Sequence, residues 1–263
     1  MYYPNWFKTL WLALILGVLW NPMGVSASAA VLGENLIANG NAEQGGCDNV
    51  GNAIGNAIPA IPGWVPTGNF SVLCYGATGF QFVNPFGQTV QVSGLPDATM
   101  PGPSDRGTGL FFGGGDRASS SASQLIDLTD LASVIDAGQG FFDLSAWLGG
   151  YTTDADSPSL NVSFLSDTNQ SLGNVSLTAP TATERNNQTG LFLKSLNGFL
   201  PVGTRQARVQ LDMNYVRGRV NDAYADNLSL VVNKVPDPSM GVFSLLSVAG
   251  MLFWRSRRSH SQL

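Results

Sequence analysis

The chemistry open to this chain is narrowed first by one residue type. Its only histidine is His260, close to the C-terminus. Histidine general bases, Ser-His-Asp triads and histidine metal sites are therefore excluded from the rest of the sequence. The two cysteines, Cys47 and Cys74, either stay free or pair with each other; if they pair, no thiolate nucleophile or zinc-thiolate site remains. Carboxylates are what is left. Glycoside hydrolysis needs two of them facing across a cleft, roughly 5 to 10 Å apart, and no spacing of Asp and Glu nominates a pair. The expectation is a protein that is not an enzyme. Gly113-Gly114-Gly115-Asp116 lacks the Lys-Ser/Thr of a phosphate-binding loop and the helix that should follow it, and reads as a turn.

Binding chemistry has more to work with. A flat aromatic ring lies against the apolar face of a sugar while polar neighbours bond its hydroxyls. Trp64, Tyr75, Trp147, Tyr151, Tyr215 and Tyr224 could serve, each with core packing as the alternative. Trp147 stands out because alternation sets it opposite the apolar row Phe142, Leu144, Ala146, Leu148. Tyr151 follows Gly149-Gly150 in an expected loop. These two are the candidate ligand-binding residues.

The elements that would position them are strands. Period-two alternation runs through Phe142 to Leu148, through Leu160, Val162 and Phe164, and most cleanly through Ala207, Val209, Leu211 and Met213; it is imperfect around Ile126 and Leu128. A two-residue period means sheets with one buried side. Gly173-Asn174, Asn197-Gly198 and Pro201-Val202-Gly203 read as turns between them. The expectation is eight to ten strands, one helical turn over residues 130–137, and no long helix before the C-terminal segment.

Both ends read as export signals. Residues 1–29 carry one charge, Lys8, then an apolar run over 10–19 and Ala27-Ser28-Ala29, the layout of a cleaved secretory signal peptide; a retained anchor is the alternative. At the other end, Val235-Pro236-Asp237-Pro238-Ser239 precedes an uncharged apolar run, 240–254, and then Arg255, Arg257 and Arg258. Two prolines make the first part an extended hinge. The run spans roughly 22 Å as a helix, a short membrane crossing. The arginines behind it would stay cytoplasmic, which sets the rest of the chain outside. An amphipathic or buried terminal helix is the alternative. The order of parts resembles the PEP-CTERM sorting signal of exported bacterial proteins, with Asp237 where that motif has Glu. The resemblance implies an exosortase, a membrane transpeptidase, as processing partner, and a destination at the cell surface or in extracellular polysaccharide.

Between the ends, residues 30–234 hold 9 Lys and Arg against 17 Asp and Glu. This acidic balance repels phosphate backbones, so nucleic acid is not an expected partner. About 205 residues suffice for one domain with a core. In an exported protein Cys47 and Cys74 are expected to form a disulfide.

Asn35-Leu36-Ile37-Ala38-Asn39-Gly40-Asn41-Ala42-Glu43, Gly63-Trp64 and the closing 221–232 segment together resemble a galactose-binding-like jelly roll of the kind found in carbohydrate-binding modules. The resemblance implies an all-β jelly-roll sandwich with Leu36 and Ile37 in its first strand and Asn39-Gly40 in a tight turn. It also implies that Glu43 and Asp226 lie side by side, where they would hold a structural calcium ion; solvated turn acids are the alternative. The function expected is that of a non-catalytic exported surface or matrix component that binds glycan. A structural or adhesive protein with no small ligand comes second, and a carboxylate-based glycoside hydrolase third.

Overall fold

The computed structural model describes residues 29–55 and 60–236. The signal peptide expected over 1–29 lies almost entirely outside these residues. So does the sorting tail from Asp237 through Pro238, Ser239, the 240–254 run, Arg255, Arg257 and Arg258. Among the described residues no helix is long and apolar enough to cross a membrane.

The described chain is all-β. Its strands are β1 (Val65–Thr67), β2 (Ser71–Cys74), β3 (Gln81–Val83), β4 (Thr89–Gln91), β5 (Gly109–Gly114), β6 (Ser120–Asp127), β7 (Gly140–Gly150), β8 (Ser157–Leu165), β9 (Ser171–Thr178), β10 (Gly190–Phe199), β11 (Gln206–Asn214) and β12 (Asn221–Lys234). A 3-10 turn, Thr129–Leu131, and one short helix, α1 (Ala132–Asp136), join β6 to β7. The strands form two five-stranded sheets, ordered β1-β6-β11-β8-β9 and β10-β7-β12-β5-β2, and a separate β3-β4 hairpin. Neighbours within each sheet run antiparallel.

Alternation places the core. Leu160, Val162 and Phe164 of β8, Ala207, Val209, Leu211 and Met213 of β11, and Phe142, Leu144, Ala146 and Leu148 of β7 are all buried and meet between the two sheets in one cluster. Each aliphatic side chain buried this way is worth about 1.5–3 kcal/mol, which is what forbids a one-residue slip of any of these strands. Trp64 packs edge-on against Phe111 with ring centroids 5.3 Å apart.

A second cluster lies on the outward side of the β10-β7-β12-β5-β2 sheet. Leu73, Leu110, Phe112, Leu191, Val220 and Tyr224 are buried there, which an alternating one-sided sheet would leave wet. The chain between β2 and β5, including the β3-β4 hairpin, covers them, with Tyr75, Ala77 and Phe80 packed on the cluster.

Several local expectations are corrected. Leu36 and Ile37 enter no strand. That segment makes a single bridge, Asn35 to Val231, because the Asn35 side chain takes over the pairing: its Oδ1 accepts from the backbone N–H of Ile37 and Leu230 and its Nδ2 donates to the Leu228 carbonyl. Asn39 does adopt a left-handed φ of 48°, whereas Gly40 is not among the positive-φ residues. Gly173-Asn174 lies inside β9 and Asn197-Gly198 inside β10, both of them edge strands. Those glycines answer to crowding rather than to turning, since a Cβ at Gly198 would stand 3.1 Å from the Phe142 ring and one at Gly173 3.3 Å from Pro201. Gly113 and Gly114 belong to β5; at Gly114, φ is +105° and a Cβ would lie 2.0 Å from the Asn69 carbonyl oxygen. The strand count exceeds expectation because β1 to β4, at three or four residues each, are too short to show a period. The 3-10 turn and α1 fall where a helical turn was expected.

Candidate functional site

On β7 the residues between the core positions, Asp143, Ser145 and Trp147, point outward. Register carries each outward position across the sheet. Trp147 lies opposite Leu193 of β10 on one side and Asp226 of β12 on the other; Ser145 lies opposite Ser195 and Ser229. The excursion that covers the second cluster stops short of these rows, so a groove of about 510 Å³ remains over them. Its floor is Trp147, Ser145, Leu193 and Ser229, and its walls bring in Asn35, Asn39, Asn41 and Gln44 from the N-terminal loop, Asn227 from β12 and Asp105 from the excursion. The loop sits against β12 through Gly40, whose carbonyl accepts from the Leu228 N–H at 2.9 Å. A Cβ at Gly40 would stand 2.2 Å from the Leu228 carbonyl oxygen, so only glycine lets the two backbones approach this closely.

Asp226 is fully buried beside the groove. Its Oδ2 accepts from the Tyr75 hydroxyl at 2.8 Å and its Oδ1 from the Asn227 N–H at 2.7 Å. Burial pushes its carboxyl up to about 8, with the negative charges of Glu43 and Asp105 adding to the rise against those two donors. Burial and the Asp226 charge likewise hold the Tyr75 phenol far above its ordinary value, which leaves it a fixed donor. Arg106 lies over the Tyr75 ring, 5.3 Å from its centroid, and is tied down by the carbonyls of Asp97, Met100 and Pro103. Asn227, at a left-handed φ of 47° in the bulge of β12, donates from its amide to Asp105 at 2.9 Å.

Glu43 accepts three bonds of 2.8 Å: from the Thr108 N–H, the Thr108 hydroxyl and the Gly109 N–H. Two carboxylates and a threonine hydroxyl are hard oxygen donors of the kind a calcium ion takes. The chemistry of the set fits such an ion.

Cys47 and Cys74 form a disulfide, with a Cα–Cα distance of 5.1 Å. It clamps the loop after Glu43 to the end of β2, one residue before Tyr75. Trp147 is partly buried on the second cluster and lines the groove. Tyr151 does not reach the groove. Its ring packs on the second cluster and its hydroxyl donates to the Ser93 carbonyl at 2.6 Å, because the β2–β5 excursion lies over the place where a loop tyrosine would otherwise meet solvent.

A second set of acids escaped the sequence reading. Asp154, Asp156 and Asp222 offer carboxylate oxygens within 4.8 Å of one another. Burial pushes Asp222 up to about 7 and raises Asp156. Tyr224 donates to Asp222 at 2.7 Å, and Asp156 accepts from the N–H groups of Val216, Arg217 and Asp222. Beside them the buried Arg185 donates to the carbonyls of Gly150, Thr152, Asp154 and Gln188. Nothing in the sequence links residues 154 and 156 to residue 222; the loop that leaves β7 at Gly150, itself paired with Ala223 of β12, brings them together.

No family model and no curated protein matches the chain. Solved structures do. A family 16 carbohydrate-binding module is similar at 18% identity over 75% of this chain and 99% of its own, with a TM-score of 0.42. The enzymatically active domain of tailspike protein 4 of bacteriophage CBA120 is similar at 15% identity over 75% of this chain, with a TM-score of 0.40; the match covers 21% of the tailspike chain. An N-terminal portion of Clostridium thermocellum endo-1,4-beta-D-xylanase 10B, complexed with xylohexaose, is similar at 11% identity over 64% of this chain and 26% of its own, with a TM-score of 0.31.

Proposed function

We propose that this chain is a non-catalytic, exported surface or matrix protein that binds glycan in the groove over Trp147. The observation that carries the reading is the pairing, in one concavity, of an apolar floor from Trp147 and Leu193 with the amides and hydroxyls of Asn41, Asn227, Ser145 and Ser229. A sugar presents the complementary surface, an apolar C–H face ringed by hydroxyls. The non-catalytic part rests on the acids. Among the described residues Asp105 is the one carboxylate lining the groove and Asp226 behind it is closed to solvent, whereas hydrolysis of a glycoside requires two that reach the substrate.

Calcium bound by Glu43 and Asp226 belongs to the same reading, as a brace for the loop and strand that form the groove wall. So does the tail: the 235–239 hinge, the apolar run and Arg255, Arg257 and Arg258 would engage the membrane and an exosortase, leaving the domain on the cell surface. The disulfide is in keeping with an oxidising location.

The test is a glycan array probed with the exported protein and with Trp147→Ala, both checked by thermal melting. Binding that disappears in the folded variant supports the reading. An array without hits refutes it in favour of a structural or adhesive role.

A further inference from the structure

The described chain enters and leaves the sandwich at one end. Val235, the first residue after β12, donates its N–H to the Gln139 carbonyl at 3.0 Å, one residue ahead of β7, and Gly33 donates to the Val232 carbonyl at 2.9 Å, which lays the N-terminal loop alongside. β10 stops level with them, Phe199 standing opposite Phe141, and the turn into β11 follows. Five of the twelve large apolar side chains exposed among the described residues ring this end: Val31 and Leu32 in the N-terminal loop, Phe199 and Val202 at the turn into β11, and Leu172 near the start of β9. Leu172 reaches the same turn, its Cδ1 lying 3.8 Å from where a Cβ on Gly203 would stand. Phe199 is 59% exposed and Val202 63%. A cluster of this kind is a surface for a partner.

The length of chain beyond Pro236 says which partner. From Pro236 to the start of the apolar run at 240 is four residues, at most about 14 Å fully extended. One headgroup layer takes about 5–8 Å of that reach. The run itself, 15 residues from 240 to 254, falls about 8 Å short of a hydrocarbon core of about 30 Å, and a short span draws its flanking residues inward. With the run in a bilayer, this end of the sandwich is held against the headgroups.

Charge selects among bilayers. Glu34, Asp130 and Asp167 are exposed at this end against Lys234, while Asp136 and Arg205 pair at 2.6 Å. Such an acidic rim is repelled by anionic headgroups and not by zwitterionic ones.

Resting on the membrane reading of the tail, we propose that this end of the sandwich is a lipid-facing surface, whose apolar ring seats in the headgroup layer of a zwitterionic bilayer while the 240–254 run crosses it. Trp147, six residues along β7 from Phe141, then lies up to about 20 Å above the lipid, with the groove open to the outside.

The full chain, tail retained and carrying Phe199→Cys or Val216→Cys labelled with bimane, is floated with vesicles after thermal melting confirms the fold. Cys47 and Cys74 are paired, so the introduced thiol alone takes the label. Val216, in the loop after β11 at the opposite end, is as exposed as Phe199, at 59%. In phosphatidylcholine vesicles with brominated acyl chains, quenching at position 199 should exceed that at 216 about threefold or more, because an apolar seat reaches the boundary of headgroups and acyl chains. Replacing part of the lipid by phosphatidylglycerol should bring that ratio toward one. Floating protein with equal quenching at both positions overturns the lipid-facing end and leaves the tail reading intact. A ratio unmoved by phosphatidylglycerol overturns the selection by charge. Protein that fails to float overturns the tail reading and the seat with it. Emission at 199 already shifted to the blue before lipid is added, with a doubled mass in light scattering, places a second copy over the ring and overturns the proposal.

Discussion

Replacing Asp226 by Asn tests the charge placed behind the groove wall. In the folded protein burial raises this carboxyl from the ordinary 3.8 to about 8, so between those values the folded chain holds a proton that the unfolded chain has released. Stability from this group is therefore complete below about pH 4 and is lost as pH climbs through 8. Each pH unit is about 1.4 kcal/mol, so the full span has a ceiling of about 6 kcal/mol, a large part of the roughly 5–15 kcal/mol that holds a domain folded. Asp222 and Asp156 are shifted in the same direction and contribute alike to parent and variant, so the difference between the two curves isolates Asp226. Asn keeps an oxygen to accept from Tyr75 and cannot ionise. Urea unfolding in EDTA from pH 4 to pH 9 should show the parent losing stability with rising pH relative to Asp226→Asn. Calcium should narrow the gap at pH 8 by about 2.7 kcal/mol at a hundredfold excess over its Kd, because an ion at Glu43 and Asp226 would hold the ionised carboxylate. Parallel curves in EDTA would refute the buried, proton-holding Asp226. An undiminished calcium response in the variant would remove the ion from this place.

Two further outcomes concern stability. The Cys47–Cys74 disulfide, with a sequence separation of 27, should contribute about 3 kcal/mol through loop closure; a Cys47→Ser/Cys74→Ser variant is expected to melt roughly 6–12 °C lower by scanning calorimetry, and no drop would contradict the entropic reading. Arg185→Met should cost about 3 kcal/mol or more in urea unfolding, because it strips donors from carbonyls sealed around Arg185, a residue 2% exposed. Arg185→Lys should rescue little, since one ammonium cannot reproduce the planar fork.

How much of this was legible beforehand differs from element to element. The rows on β7, β8 and β11 were readable because a strand buried on one side repeats every second residue, and the outward placement of Trp147 followed from the same period. The disulfide followed from cysteine number and the expected compartment. The short strands β1 to β4 have no period to read. Gly173 and Gly198 were misread as turns because a glycine answering to a crowding neighbour looks, in sequence, like one that turns the chain. Tyr151 reads in sequence as a loop residue open to a ligand, and nothing local reveals the excursion that covers it, which folds back from some sixty positions earlier.

By itself, then, the sequence determined the class of fold, which side of each long strand faces inward, the exclusion of histidine chemistry and the pairing of the cysteines. Those properties are local or compositional. Tertiary structure alone decided that Tyr75 caps Asp226, that Asp154 and Asp156 meet Asp222, and that an open groove over Trp147 survives on a sheet otherwise roofed by its own loop. Each depends on antiparallel pairing between residues far apart in the chain, and the energy that selects such pairing comes from burying whole faces, a quantity no short window of residues contains.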